Sequence, residues 1–180
     1  MGVPGRHVVH PFHGQGFPAL AGSGLTGLSH AEGVVLDFGS HRIIHCSGKT
    51  ATDDAAETEE GRHTIVGGRD IGAQTTQVLR NIDRFLRQCG AELSDVYRVR
   101  VYVVAPMDDA AFAAIHQARS RTVLADNQPA STLVVVAGLA RPGALIEIDA
   151  EAVVFAGTEE AGIVESAAGE TTEGTGSRGT

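Results

Sequence analysis

Leu145-Ile146-Glu147-Ile148-Asp149-Ala150-Glu151-Ala152 alternates without a break between apolar and acidic residues. A period of two belongs to a strand with one face in a core and the other outside it. Ile146, Ile148, Ala150, Ala152 and Val154 share one face, and Glu147, Asp149 and Glu151 share the other. Upstream, Gln128-Pro129-Ala130-Ser131-Thr132 leads into the run 132–137, apolar on both faces, as in a strand covered from both sides. Residues 96–105 alternate again, with Val99, Val101 and Val103 opposed to Arg98, Arg100 and Tyr102.

Between and before these strands the period changes. From 69 to 89 the apolar residues Ile71, Val78, Leu79, Ile82, Phe85 and Leu86 recur at helical spacing, and Gly90 supplies a stop. Asp108-Asp109 opens a second helix carrying Phe112, Ile115 and Val123. Residues 33–38 and 42–47 are short and β-branched, separated by Gly39-Ser40, which predicts a hairpin that ends in His45-Cys46-Ser47-Gly48-Lys49-Thr50. The polar stretch 52–68, with Gly67-Gly68 near its end, is expected to be a long loop. The order is β-β-α-β-α-β-β, an α+β class with two helices on one face of a mixed sheet. The other sheet face mixes Glu147, Asp149, Glu151, Arg98 and Arg100 with apolar residues of 133–136. On so small a domain that mixture predicts a second subunit against it, and so an oligomer whose sheets face a common centre.

The chain has 180 residues, 42% of them apolar but only 4% aromatic, with no Trp, so its core is built from Val, Ile, Leu and Ala. Residues 1–23, rich in Gly, His and Pro, are expected to be a flexible N-terminal arm, 24–156 the folded domain, and 157–180 a disordered acidic tail. In that tail five glutamates face Arg178 alone, a net of −4 within the formal charge of −8. No basic patch follows a phosphate backbone, so a nucleic-acid partner is not expected. Two cysteines, Cys46 and Cys89, make neither a disulfide framework nor a zinc spacing. No apolar run suggests a signal peptide or a membrane span, which points to a cytoplasmic protein with no membrane partner.

Several segments, taken in order, carry a resemblance. They are Leu28-Ser29-His30-Ala31, Cys46-Ser47-Gly48, Gln74 with Leu79-Arg80-Asn81-Ile82, Ala91-Glu92-Leu93-Ser94-Asp95-Val96, Pro129-Ala130-Ser131-Thr132 and Ile146-Glu147-Ile148-Asp149-Ala150. Over roughly residues 26–155 the chain resembles the reactive-intermediate deaminase family (Rid, YjgF-like), whose fold is like that of chorismate mutase. The resemblance implies a homotrimer with a cleft at each subunit interface. It implies hydrolysis of enamines and imines such as 2-aminoacrylate to a 2-oxo acid and ammonia, with no metal and no organic cofactor. In the family an Arg in the Pro-Ala-Arg-Ser/Thr segment pairs with the substrate carboxylate, and a Glu on the last strand positions water. A backbone amide near Ser-Gly, an early Tyr and an Asn on the second helix complete the pocket.

Carried over by position, Ser47 and Gly48 stand as the family has them, and Asp149 is read as the acid, one methylene shorter. Ser131 occupies the Arg position, Leu28 the Tyr position and His116 the Asn position, and Lys49 follows the Ser-Gly pair. A hydroxyl cannot grip a carboxylate as a guanidinium does, so this divergent pattern predicts poor turnover of small α-imino acids.

Each candidate has a plainer reading beside it. Asp149 is the candidate catalytic group, steering water and protonating the leaving nitrogen; alternatively it or Glu147 forms an ion pair with Arg100 across strands. Ser47, Gly48, Ser131 and Thr132 are candidate substrate-binding groups, or else ordinary strand residues. Lys49 is a replacement cation or an exposed loop lysine, and His116 a pocket residue or a solvated helix-face histidine. Cys46 points away from Ser47 and reads as core, whereas His45 shares the face of Ser47. His7, His10 and His13 recur every three residues without a rigid scaffold, so no metal site is assigned. Arg119 and Arg121 read as surface or intersubunit ion-pair partners. The leading expectation is a deaminase acting on the C–N bond of an imine or enamine. The alternatives are a specialised tailoring or catabolic deaminase of aminomuconate type, and a non-catalytic metabolite-binding trimer.

Overall fold

A computed structural model describes residues 5–9, 30–57, 63–122 and 126–157. Its main sheet has six strands. These are β1 (Gly5–Val9), β2 (Gly33–Asp37), β3 (His41–Lys49), β6 (Val96–Val104), β7 (Ala130–Val136) and β8 (Ile146–Phe155), in the order β1-β2-β3-β8-β6-β7. Neighbours are antiparallel except β6 and β7, which are parallel and joined through the helix α2 (Asp109–Ser120). The alternating stretch at 145–152 therefore lies at the centre of the sheet, between β3 and β6.

Local chemistry accounts for the other elements. At Gly39 (φ 79°) the β2–β3 hairpin turns, with its amide donating to Asp37 Oδ1 at 2.8 Å. The helix α1 (Ile71–Gln88) starts at Asp70, whose Oδ1 accepts from the amides of Gly72 and Ala73. It ends where Gly90 takes φ 70° and Ala91 N–H donates to Leu86 O. Val78, Leu79, Ile82, Phe85 and Leu86 of α1 are buried against Ile44, Val99, Val101, Val103, Ile146 and Ile148 of the sheet. The helix α2 packs on α1 and buries Ile115 and Ala118. No helix among the described residues is long and apolar enough to cross a membrane.

Four features differ from the sequence expectations. Gly5–Val9, placed in the arm, pairs with β2 and forms the sheet edge. Residues 52–68 are not wholly loop, because β4 (Thr52–Glu57) and β5 (His63–Ile65) pair as a small second sheet. Phe112, expected as a core residue of α2, is 46% exposed. In the single chain the apolar run 132–137 lies bare on an edge strand, with Val134 41% and Val135 51% exposed on opposite faces. The expectations for Leu28, Val123, His10 and His13, for the rest of the arm and for the tail beyond residue 157, lie outside the described residues.

Two motif segments are structural. Gln74 is fully buried; its Nε2 donates to Gly68 O and Gly143 O, and its Oε1 accepts from Leu145 N–H at 2.8 Å. Buried Asn81 donates to Thr50 O and Thr52 O. Together they clamp the loops that lead out of β3 and into β8.

Candidate active site

The site begins with a miscount between two strands. Cys46 pairs with Ala150, but Lys49 pairs with Ile148, so β3 spends three steps where β8 spends two. The extra residue is a β-bulge at Ser47-Gly48, a device that re-aims side chains next to functional sites. It brings the Gly48 backbone against Glu147. A Cβ at position 48 would stand 2.9 Å from Glu147 Cδ and 3.1 Å from Cγ, with Oε1 closer still. Only glycine lets this carboxylate lie on the strand.

Glu147 is half-buried on the sheet face away from the helices, and no hydrogen-bond donor among the described residues reaches its carboxylate. Burial pushes its pKa up, the nearby Asp149 adds to that, and the charge of Arg141 opposes it. Glu147 was named from the sequence only as an ion-pair alternative, yet it is the unsatisfied acid of the site.

Asp149 has a different setting. Arg100 lies opposite it on β6 and donates to Asp149 Oδ1 at 2.7 Å, while Tyr102 Oη donates to Oδ2 at 3.3 Å. The other arm of Arg100 reaches Glu151 Oε1 at 2.5 Å, and Tyr97 Oη donates to Glu151 Oε2 at 2.8 Å. Burial alone would raise the pKa of Glu151, but the hydrogen bonds from Tyr97 and Arg100 outweigh it and hold the carboxyl below its ordinary range. The cross-strand ion pair thus takes the carboxylate that the sequence reading put forward as catalytic.

The remaining candidates divide. Ser47 Oγ donates to Ala31 O at 2.7 Å, and its N–H donates to Glu32 O, so both its polar groups tie down the segment before β2. Lys49 is not beside the cleft. The bulge turns it to the helix side, where it pairs with Glu32 and its Nζ sits 5.0 Å from the Phe85 ring centroid, with the side chain 13% exposed. Cys46 is buried, which pushes its thiol pKa far up, and it is no nucleophile. His45 is exposed opposite Glu151.

Ser131, Thr132 and His116 lie elsewhere. Thr132 pairs with Arg100 and faces the same side as Asp149 and Glu147. Ser131 pairs with buried Val99 and so faces the helix side, where its Oγ accepts from Arg119 Nη1 at 3.1 Å. His116 is exposed one turn earlier on α2, its ring 4.3 Å from that of Phe112. Ser131 and Glu147 are therefore on opposite faces of one sheet, two strands apart and about 10 Å apart along the strands. Within one chain they do not meet.

This arrangement has close relatives. The family model described as Endoribonuclease L-PSP matches residues 32–154. The chain belongs to that family, the YjgF/Rid proteins. A Rid-family protein of Yersinia pestis is 32% identical over 83% of this chain and 98% of its own, with a TM-score of 0.53. A YjgF-family protein of Mycobacterium tuberculosis is 27% identical over 83% of this chain and 100% of its own, with a TM-score of 0.56. A Pseudomonas aeruginosa protein of unknown function is 29% identical over 83% and 93%, with a TM-score of 0.57. No curated protein matches the chain.

Proposed function

We propose that this Rid protein hydrolyses the C–N bond of an imine, or of an enamine once it has tautomerised to the imine, in a cleft between subunits, with Glu147 as the acid–base group. One observation carries the reading: Glu147 is half-buried, lacks a hydrogen-bond donor among the described residues and rests on a glycine where any Cβ would push the carboxylate away. A raised carboxyl pKa suits a group that must both take and return a proton near neutral pH. Glu147 removes a proton from water as the water oxygen bonds to the imine carbon. The C=N π pair moves to nitrogen, which receives that proton and gives a carbinolamine. In a second pass the carboxyl takes the hydroxyl proton and hands it to nitrogen as the C–N bond breaks, leaving a carbonyl compound and ammonia. Asp149 supports this as a positioning group; it anchors Arg100 and Tyr102, and its charge adds to the upward shift that burial gives Glu147.

The trimer expectation is supported by the bare edge strand β7 and the open sheet face, where exposed Val134 adjoins the Arg100 network. A homotrimer that sets the edge strand β7 of one copy, which carries Ser131, against the open face of the next would bring Ser131 toward Glu147. A ribonuclease role, which the description of the family model suggests, gains no support from a net charge of −8 and an acidic open face.

The experiment is ammonia release from imines generated in situ by an amino-acid oxidase, for wild type and Glu147→Gln. A loss of about 10²–10⁴-fold in the variant is expected. Equal rates in both proteins sink the assignment, and no turnover of any imine by wild type favours the non-catalytic binding trimer.

A further inference from the structure

Among the described residues, several arginines answer to a carboxylate or to backbone carbonyls, and exposed Arg84 donates to the side-chain oxygen of Asn81. Arg100 has Asp149 and Glu151, Arg87 has Asp83, and Arg42 has the carbonyls of Cys89 and Gly90. Arg119 differs from these. It follows buried Ala118 on the last turn of α2 and is itself half-buried, yet its hydrogen bond goes to the neutral hydroxyl of Ser131, and no carboxylate among the described residues pairs with it. Burial lowers its pKa with no acid to offset the cost. A partly desolvated guanidinium without a counter-ion is anomalous in a chain with 22 acidic and 14 basic residues.

The geometry around it is that of a receptor. A guanidinium has five N–H donors in a planar fork, and Ser131 uses one. Because Ser131 Oγ accepts from Arg119, its own O–H is left to donate outward, alongside the remaining N–H groups. His116 lies one turn away on the same helix face. A planar anion with two oxygens fits such a fork better than a tetrahedral one.

We propose that Arg119 and Ser131 form a carboxylate-binding subsite, in which a guanidinium arriving from α2 does the work that an arginine at position 131 would do from β7. On the deaminase reading, which supplies the substrate's C=N group, the substrate class becomes imines that carry a carboxylate. The expectation of poor turnover of small α-imino acids, drawn from Ser131 alone, is then reversed.

Binding and turnover test the two ideas separately. Calorimetric titration of the full chain with pyruvate, and with its uncharged analogue pyruvamide, reads the subsite without catalysis. Wild type is expected to prefer pyruvate, and Arg119→Gln to lose about 30- to 100-fold in pyruvate affinity with little change for pyruvamide, as for hydrogen bonds to a charged group. Arg119→Lys should recover only part of the loss, and Ser131→Ala should weaken pyruvate several-fold. If Arg119→Gln does not fold by circular dichroism, the lysine and Ser131→Ala variants decide. Equal affinity for the two ligands in wild type, or unchanged pyruvate affinity in the variants, overturns the subsite. Pyruvate binding that depends on Arg119 without ammonia release from 2-iminopropionate overturns the deaminase reading and leaves the subsite standing. Turnover of 2-iminopropionate unaffected by Arg119→Gln does the reverse.

Discussion

Gly48→Ala is the sharpest perturbation of the site, because its consequence can be worked from a few distances. The new Cβ would stand 2.9 Å from Glu147 Cδ and 3.1 Å from Cγ, and nearer still to Oε1. Ordinary contact begins at 3.4 Å, so the carboxylate must swing off the strand by on the order of 1 Å. What yields is the far end of a flexible side chain, not backbone, so the stability cost should stay below about 1 kcal/mol. A 1 Å misplacement of a reacting group costs about 10²-fold in rate, or about 2.7 kcal/mol of barrier. Gly48→Ala should therefore lose about 100-fold in kcat/KM for imine hydrolysis while melting within a few degrees of wild type. Glu147→Gln should lose at least as much, and the double variant no more than Glu147→Gln alone, since the glycine acts only through that carboxylate. A carboxyl-carbon NMR titration gives a readout free of substrate: in Gly48→Ala the pKa of Glu147 should fall toward its ordinary value as the group enters water. Wild-type activity in a folded Gly48→Ala protein, or additive losses in the double variant, would refute the reasoning.

Three further outcomes follow from the same contacts. Because the folded protein holds the Glu147 proton to higher pH than the unfolded chain does, the stabilising share of that group is full below the ordinary carboxyl range and is lost as pH rises through the raised value; Glu147→Gln should therefore gain stability relative to wild type at pH 7–8 and not at pH 4, by thermal melts at both. Gln74→Ala leaves Gly68 O, Gly143 O and Leu145 N–H without their partner in a fully buried place, and urea unfolding should show a loss of about 3 kcal/mol. Val134→Asp puts a charge on the bare sheet face; the chain should keep its circular dichroism and sediment as a single copy, and a trimer that survives the change would show that this face is not the interface.

Near neighbours in the chain were read well from the sequence. The hairpin at Gly39, the helix between Asp70 and Gly90 and the alternation of β6 and β8 are local patterns, so propensity and period are enough to show them. Gly5–Val9 escaped because it has no period of its own and becomes a strand by pairing with β2. Lys49 follows the Ser-Gly pair that the family resemblance places at the cleft, but the bulge at Ser47-Gly48 turns it to the helix side.

Choosing between two acids shows where the division lies. Alternation alone sets Glu147 and Asp149 on the same face of β8, two residues apart, and says nothing to separate them. Register across the sheet separates them, with Arg100 opposite Asp149 and the bulged Gly48 against Glu147, so that one carboxylate is neutralised and the other left unpartnered in a half-dry place. The family, the order of the elements other than β1, β4 and β5, and the missing arginine at 131 could be read from the residues alone, because each depends on what stands at one position or repeats along one segment. Which acid is left to react, and that Arg119 comes from a helix to meet Ser131, depended on contacts between residues far apart in the chain, and only folding determines those.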